Sequence, residues 1–207
     1  MNPGIHIQKL NNMFQIFKVI IITSLFSMIL ISCSSEKVEE AIMEKVTPQD
    51  KQLKLEDFTS IGLKKNKAYK IEELPKALSA YFGFIKFNEP SEEGKGKKVV
   101  EYELRIYSSH EDAINYGTGY AEERVGPEAK LKKSHNPRWK EGLRDARVCI
   151  GDQFDGGKNS ADCGQPKFNE FYIYGNVVIL CEGRTQEIAK RNCNSITSRL
   201  EPSLENQ

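Results

Sequence analysis

Residues 168–182 restrict the fold of this chain more than any other stretch. Two runs rich in aromatic and β-branched residues, 168–174 and 177–182, flank Gly175-Asn176, a dipeptide that tolerates the positive φ of a two-residue hairpin turn. Side chains alternate along a strand, so Phe171, Ile173, Val178 and Leu180 share one face. Tyr172, Tyr174, Val177, Ile179 and Cys181 share the other. Both faces are apolar, and neither tolerates water. The hairpin is therefore expected at the centre of a sheet covered on both sides.

Around this hairpin the chain reads as alternating strands and helices. In residues 99–107, Val100, Tyr102, Leu104 and Ile106 alternate with Glu101, Glu103 and Arg105, the pattern of a half-buried strand whose charged row faces solvent. Before it, Leu74, Leu78, Tyr81 and Phe82 stand at helical spacing behind Glu72 and Glu73, which predicts a helix over 71–82 ended by Gly83. Pro75 suits an early position of that helix. A short strand over 84–87 and a Glu/Gly/Pro-rich loop over 88–97 follow. Ser109 and Asp112 resemble a capping box, opening a helix with Ala113, Ile114, Gly117, Tyr120, Ala121 and Val125 on one face. Small residues at 113, 117 and 121 let that helix lie close to the sheet. Residues 130–143 form a basic, irregular excursion with the single Trp139, 144–150 a strand, and 151–167 a Gly/Asp/Asn loop. A last helix spans 185–200, with Ile188, Ala189, Cys193, Ile196 and Leu200 inward. This order predicts one α+β domain over 55–207, an antiparallel β-sheet of about four to five strands with packed helices.

Upstream of the domain the character changes. Lys9 and Lys18 precede an uncharged run over 19–31 dominated by Ile, Leu, Phe and Met, which is shorter than the roughly 20 residues a membrane span needs. The run ends at Leu30-Ile31-Ser32-Cys33, which resembles the lipobox of bacterial lipoproteins. The resemblance covers the signal alone. It implies a signal peptide over 1–32, cleavage before Cys33, and attachment of diacylglycerol to the Cys33 thiol. Each buried methylene of such chains contributes about 0.8 kcal/mol, so two or three chains hold a protein on a membrane. A start at Met13 gives a more compact signal. Ser34 after the cysteine favours, by the same resemblance, the outer membrane, facing the periplasm or the cell surface. Residues 33–54 are polar, contain Pro48, and read as a lipidated N-terminus and flexible tether, with a short helical stretch possible over 36–45.

Removing the signal removes two of 30 Lys+Arg and none of 29 Asp+Glu, leaving 28 against 29. A nearly neutral body lacks the basic footprint of a nucleic-acid binder. The local basic stretches 95–98 and 130–140 read as solvated loops. Four cysteines follow the anchor: Cys149, Cys163, Cys181 and Cys193. In an exported chain an even count suggests two disulfides, and there is no CxxC pair or nearby His to argue for a metal. Cys181 lies on a face that the last helix covers, which favours Cys181–Cys193 and leaves Cys149–Cys163 to close the glycine-rich loop. Cys149–Cys181 is the competing arrangement.

Candidate chemistry is sparse. His110 opens a helix and His135 sits in a basic loop, and neither is accompanied by a GxSxG-type signature. The run from Asp152 to Asp162 carries oxygen ligands near glycine but departs from the EF-hand spacing. Glu101 and Glu103 form a carboxylate pair on one strand face, although Arg105 makes it read as a solvated row. Tyr81, Phe82, Tyr102, Tyr107, Tyr172 and Tyr174 suit either a core or a cleft wall. The expectation is a lipid-anchored envelope protein with a non-catalytic domain that binds a small ligand or another envelope protein, without a cofactor, near Tyr107, Trp139 or the Cys149–Cys163 loop. The alternative is an envelope hydrolase using carboxylates or a histidine.

Overall fold

A computed structural model of the protein describes residues 44–90, 96–150 and 162–201, all within the unit 42–207. The signal, Cys33, most of the 36–45 stretch, the loop 151–161 and the side chains of Cys149 and Cys163 lie outside the described residues. In chain order the elements are β1 (Val46–Thr47), α1 (Leu55–Ser60), β2 (Lys64–Tyr69), β3 (Ala77–Pro90), β4 (Lys97–Tyr107) and α2 (His110–Asp112). After a π-helical turn, Ala113–Gly117, come α3 (Thr118–Glu122), β5 (Arg147–Ile150), β6 (Asp162–Pro166), β7 (Phe168–Tyr174), β8 (Val177–Glu182) and α4 (Gln186–Leu200).

Six strands form one sheet in the order β1-β7-β8-β4-β3-β2, and β5 and β6 form a separate antiparallel ribbon. The fold is α+β, but the sheet is larger than the four or five strands expected, and it is mixed, because β1 runs parallel to β7 with Val46 opposite Ile173. Two of its strands, β2 and β1, come from residues not expected to be strand, and those of β1 have a composition that reads as tether. The Ile173 and Gly175 amides donate to the carbonyls of Lys45 and Thr47, each at 2.8 Å, and the Lys45 ammonium lies 2.8 Å from the buried Glu170 carboxylate. Edge pairing of this kind uses backbone groups and needs no apolar run. Part of the predicted loop over 151–167 is likewise strand, since 162–166 pair with β5.

The helix expected over 71–82 is instead a turn followed by the start of β3. Lys76 adopts φ 62°, and the Leu74 and Ala77 amides donate to the carbonyls of Ile71 and Leu74, so the chain reverses rather than coils. Beyond the turn the period is two: Tyr81, Ile85 and Phe87 face one core while Ala80 and Phe82 face the other. Leu78, which helical spacing would bury, is 57% exposed. Pairing with β2 on one side and β4 on the other decides the matter over local spacing.

The central hairpin has the register expected of it. Tyr172, Tyr174, Val177, Ile179 and Cys181 join Tyr102, Leu104 and Ile106 in a core that also holds Phe58 of α1 and Cys193 and Ile196 of α4. Phe171, Ile173, Val178 and Leu180 join Tyr107, Ala113, Ala121 and Leu131 on the opposite face. Gly175 takes φ 55°, and the Asn176 side chain does more than turn the chain. It accepts from the Leu53 amide at 2.8 Å and donates to the carbonyls of Leu53 and Tyr107, pinning two separate segments to the hairpin tip. At the other end Thr185 caps α4, accepting from the Ile188 amide.

Close approach fixes two glycines. A Cβ at Gly117 would stand 2.6 Å from Val178 Cγ2 and 3.1 Å from the Tyr107 ring, which is why the helix facing the sheet needs small residues here. At Gly183, between β8 and α4, a Cβ would meet the Ala189 backbone nitrogen at 2.4 Å. Backbone cannot swing aside as a side chain does. Gly183→Ala should therefore lower stability by about 1–3 kcal/mol, read as a fall in the urea midpoint with an unchanged slope.

The predicted disulfide Cys181–Cys193 is present, joining β8 to α4 with both cysteines fully buried, and it excludes Cys149–Cys181.

Candidate ligand cleft

The charged row of β4 is not the solvated face that its alternation suggests. Glu103 and Arg105 are fully buried, because β4 lies inside the sheet and residues 124–146 cover its second face. Glu103 accepts from Arg105 Nε at 2.8 Å with one oxygen and from Arg124 Nη1 at 3.3 Å with the other. Both guanidinium groups lie over the ring of Trp139, each 4.9 Å from its centre. Arg124 also donates to the carbonyls of Trp139 and Glu141, and the indole N–H donates to the Lys70 carbonyl at 3.0 Å. The excursion 130–143 is thus anchored to the sheet at Trp139, while Lys132, Lys133, Arg138 and Lys140 stay exposed to solvent. Two of its cations are also tied back: Lys130 and Arg138 both pair with Glu123. This cluster is a clasp, closed on all sides by protein, and it lines neither described cavity.

The larger cavity, of about 780 Å3, opens where β4, β8 and the β5–β6 ribbon meet. Antiparallel pairing places Tyr102 opposite Cys181, so Glu101 and Glu182 come together as neighbours where the β4–β8 ladder ends. Glu101, Glu182, Arg147, Lys167 and Arg184 supply charge, and Gln165 and Asn169 supply neutral polar groups. The Lys167 ammonium donates to the Glu101 carboxylate, while the Glu101 amide donates to Glu182 Oε2 at 2.7 Å. Burial raises the Glu182 pKa above the ordinary glutamate value, the Glu101 amide opposes that rise, and the Glu101 charge adds to it. The carboxylate pair of this protein is therefore Glu101 with Glu182 across two strands, not Glu101 with Glu103 along one. No spacing rule in the sequence signals such a pair, since it depends on which strands meet and in what register.

The other sequence candidates lie elsewhere. His110 Nδ1 is 2.6 Å from the Gly175 carbonyl oxygen at the far end of the central hairpin, and His135 is exposed in a short 3-10 turn. Neither lines either of the two cavities. The aromatic set is core: Phe82, Tyr102, Tyr107, Tyr172 and Tyr174 are buried, with Tyr81 packed against them. The Tyr102 hydroxyl donates to the Asn192 carbonyl at 3.1 Å, and burial pushes the Tyr107 pKa up to about 12. Residues 152–161 of the oxygen-rich loop lie outside the described residues, and among those described no group of three His, Cys, Asp or Glu is placed to hold a metal. No described helix is long and apolar enough to cross a membrane.

Three carboxylates away from the cleft respond to acid. Burial works to raise the pKa of Glu170, Asp145 and Glu123, but lysine and other hydrogen-bond donors outweigh it and hold all three below the ordinary range. A carboxyl whose folded pKa is depressed stabilises the fold above its unfolded pKa of about 4 and loses that contribution as pH falls through the folded value. Glu182 has the opposite sign, but it is a single group. Thermal unfolding midpoints should accordingly hold steady near neutrality and drop progressively below about pH 4, as calorimetry across a pH series would show.

Residues 54–202 match the family of unknown function DUF6810, and the chain belongs to that family. No curated protein and no solved structure matches it.

Proposed function

We propose that this protein is a lipid-anchored binding module of the bacterial cell envelope, whose ligand occupies the cleft between Glu101, Glu182, Lys167, Arg147 and Arg184. The cleft carries this reading. Its volume of about 780 Å3 lies within the usual range for small-molecule sites. Its lining combines fixed charges of both signs with neutral amides, and includes no serine, threonine, cysteine or histidine among the described residues. That is a surface for recognising a ligand that bears both charges, such as a zwitterion or a peptide end. The lipobox-like signal supplies the anchor at Cys33. The buried Cys181–Cys193 disulfide suits an oxidising compartment, where Cys149 and Cys163, on the paired strands β5 and β6, would form a second. A near-neutral mature chain argues against nucleic acid as the partner.

The test is purification of the acylated full chain from its own membranes, with mass spectrometry of the bound small molecules and proteins. A reproducible ligand carrying both charges, retained by wild type and reduced about tenfold in Lys167→Gln, is the expected result. Recovery of nothing specific would count against it. For the anchor, metabolic labelling with a fatty acid should mark the wild type and miss Cys33→Ala.

One observation favours the second reading, an envelope hydrolase: burial raises the Glu182 pKa above the ordinary glutamate value, the direction a general acid needs, with the Glu101 carboxyl as its neighbour. Turnover of an envelope substrate that is abolished in Glu182→Gln would select it.

A further inference from the structure

The second cavity, of about 440 Å3, lies under the excursion and is bordered by Lys132, Lys133, Lys140, Arg144 and Arg147. Two acids face it, Glu141 and Asp145. Asp145 is already engaged, since Lys67 donates to one of its oxygens at 2.5 Å and the Tyr69 hydroxyl to the other at 2.8 Å. Lys140 has a loose partner in Glu73 at 3.7 Å. Even so, Lys132, Lys133, Arg144 and Arg147 leave the cavity with an excess of positive charge. Its floor includes the buried side chains of Leu131 and Leu143, so charge there is less screened than on an open surface.

Arg147 stands out among these residues. It borders both cavities, and its Nε is buried without a hydrogen-bond partner among the described residues. A buried donor left without a partner is unfavourable, and a guanidinium presents its donors in a planar fork that fits the paired oxygens of an oxyanion. Among the described residues no aromatic side chain lines either cavity, so none of them offers a platform on which nucleic-acid bases would stack.

We propose that the smaller cavity is a phosphate-type oxyanion site centred on Arg147, with Arg144, Lys132 and Lys133 gathering the anion at its mouth. The ligand is a phosphate or a short phosphate chain, either free or carried on a lipid headgroup. The site shares Arg147 with the larger cleft but none of its other cations. Lys167 lines only the larger cavity and Arg144 only the smaller, so variants at these two positions separate the two readings.

Calorimetric titration of the full chain at low ionic strength uses inorganic phosphate, pyrophosphate and tripolyphosphate. In parallel, the chain is mixed with phosphatidylcholine vesicles with and without phosphatidic acid. Saturable binding that tightens with phosphate number and weakens with added salt is expected. Arg147→Gln should weaken it roughly tenfold or more and Arg144→Gln several-fold, while Lys167→Gln and Lys65→Gln, the latter on the exposed strand β2, should leave it unchanged. If Arg147→Gln fails to fold, the exposed Arg144→Gln and Lys133→Gln carry the test. Binding of soluble phosphates assigns a free ligand. Binding of phosphatidic acid vesicles alone, lost in Arg144→Gln, assigns a headgroup. The proposal is overturned if no phosphate probe binds saturably, if the Arg144 and Arg147 variants bind like wild type, or if single-stranded RNA outcompetes tripolyphosphate at equal phosphate concentration.

Discussion

Glu103→Ala is expected to destabilise the protein by about 3–5 kcal/mol, the cost of breaking a buried ion pair by removing one partner. Glu103 is the carboxylate that Arg105 and Arg124 share, and all three side chains are nearly or wholly buried. Without it two guanidinium groups lie over the Trp139 ring with no countercharge in contact. Glu103→Gln should cost less, because the amide oxygen still accepts one of the two hydrogen bonds. Urea denaturation followed by the fluorescence of the single tryptophan reads both effects, since the indole lies within the cluster. A loss below about 1 kcal/mol for Glu103→Ala would mean that water or a rearranged partner satisfies both arginines, and that the clasp does not hold the excursion to the sheet.

Loss of the Cys181–Cys193 bond should cost about 3 kcal/mol. The bond closes a loop across a sequence separation of 12, and the chain-entropy model gives roughly that figure for loops of about this length. A second contribution follows from position. Both sulfurs are fully buried in the core between the sheet and α4, so Cys181→Ala/Cys193→Ala also removes packed atoms there. The double variant should unfold at a lowered temperature by calorimetry, and the reduced wild type at a lowered temperature too, since reduction opens Cys181–Cys193 together with the second bond proposed at Cys149 and Cys163. α4 is the element at risk, because it packs on β7 and β8 and carries Cys193, Ile196 and Thr197 into the core. Unchanged melting on reduction would show that α4 is held by its apolar face alone.

These two expectations draw on opposite ends of what was readable in the residues. The disulfide follows from periodicity: Cys181 lies on the face of the hairpin that is apolar, and Cys193 on the stripe of the last helix that is apolar. The buried ion cluster does not. The alternation of Val100, Tyr102, Leu104 and Ile106 with Glu101, Glu103 and Arg105 identifies a strand correctly, yet it says nothing about what lies over the charged row. The same alternation suits a solvated edge and a central strand capped by a tryptophan. Likewise the cleft needs Glu182 from β8 beside Glu101 from β4, with Lys167 and Arg147 brought in by the ribbon. These positions are distant in the chain, and each is unremarkable within its own segment.

Local patterns by themselves determined the central hairpin and its two faces, the strand over 99–107, the capped helix after Ser109 and the last helix, and they favoured Cys181–Cys193 without excluding Cys149–Cys181. In each of these, side-chain period and turn chemistry point the same way, and the short-range geometry of the backbone is enough to decide them. Only the tertiary structure decided that 77–90 is a long strand rather than the end of a helix, that 45–47 extend the sheet, and that Glu103 and Arg105 are interior. The reason is common to all three. Their energies come from partners far along the chain, in β-ladder hydrogen bonds and desolvated charge pairs, and such partners leave no periodic trace in the segment that receives them.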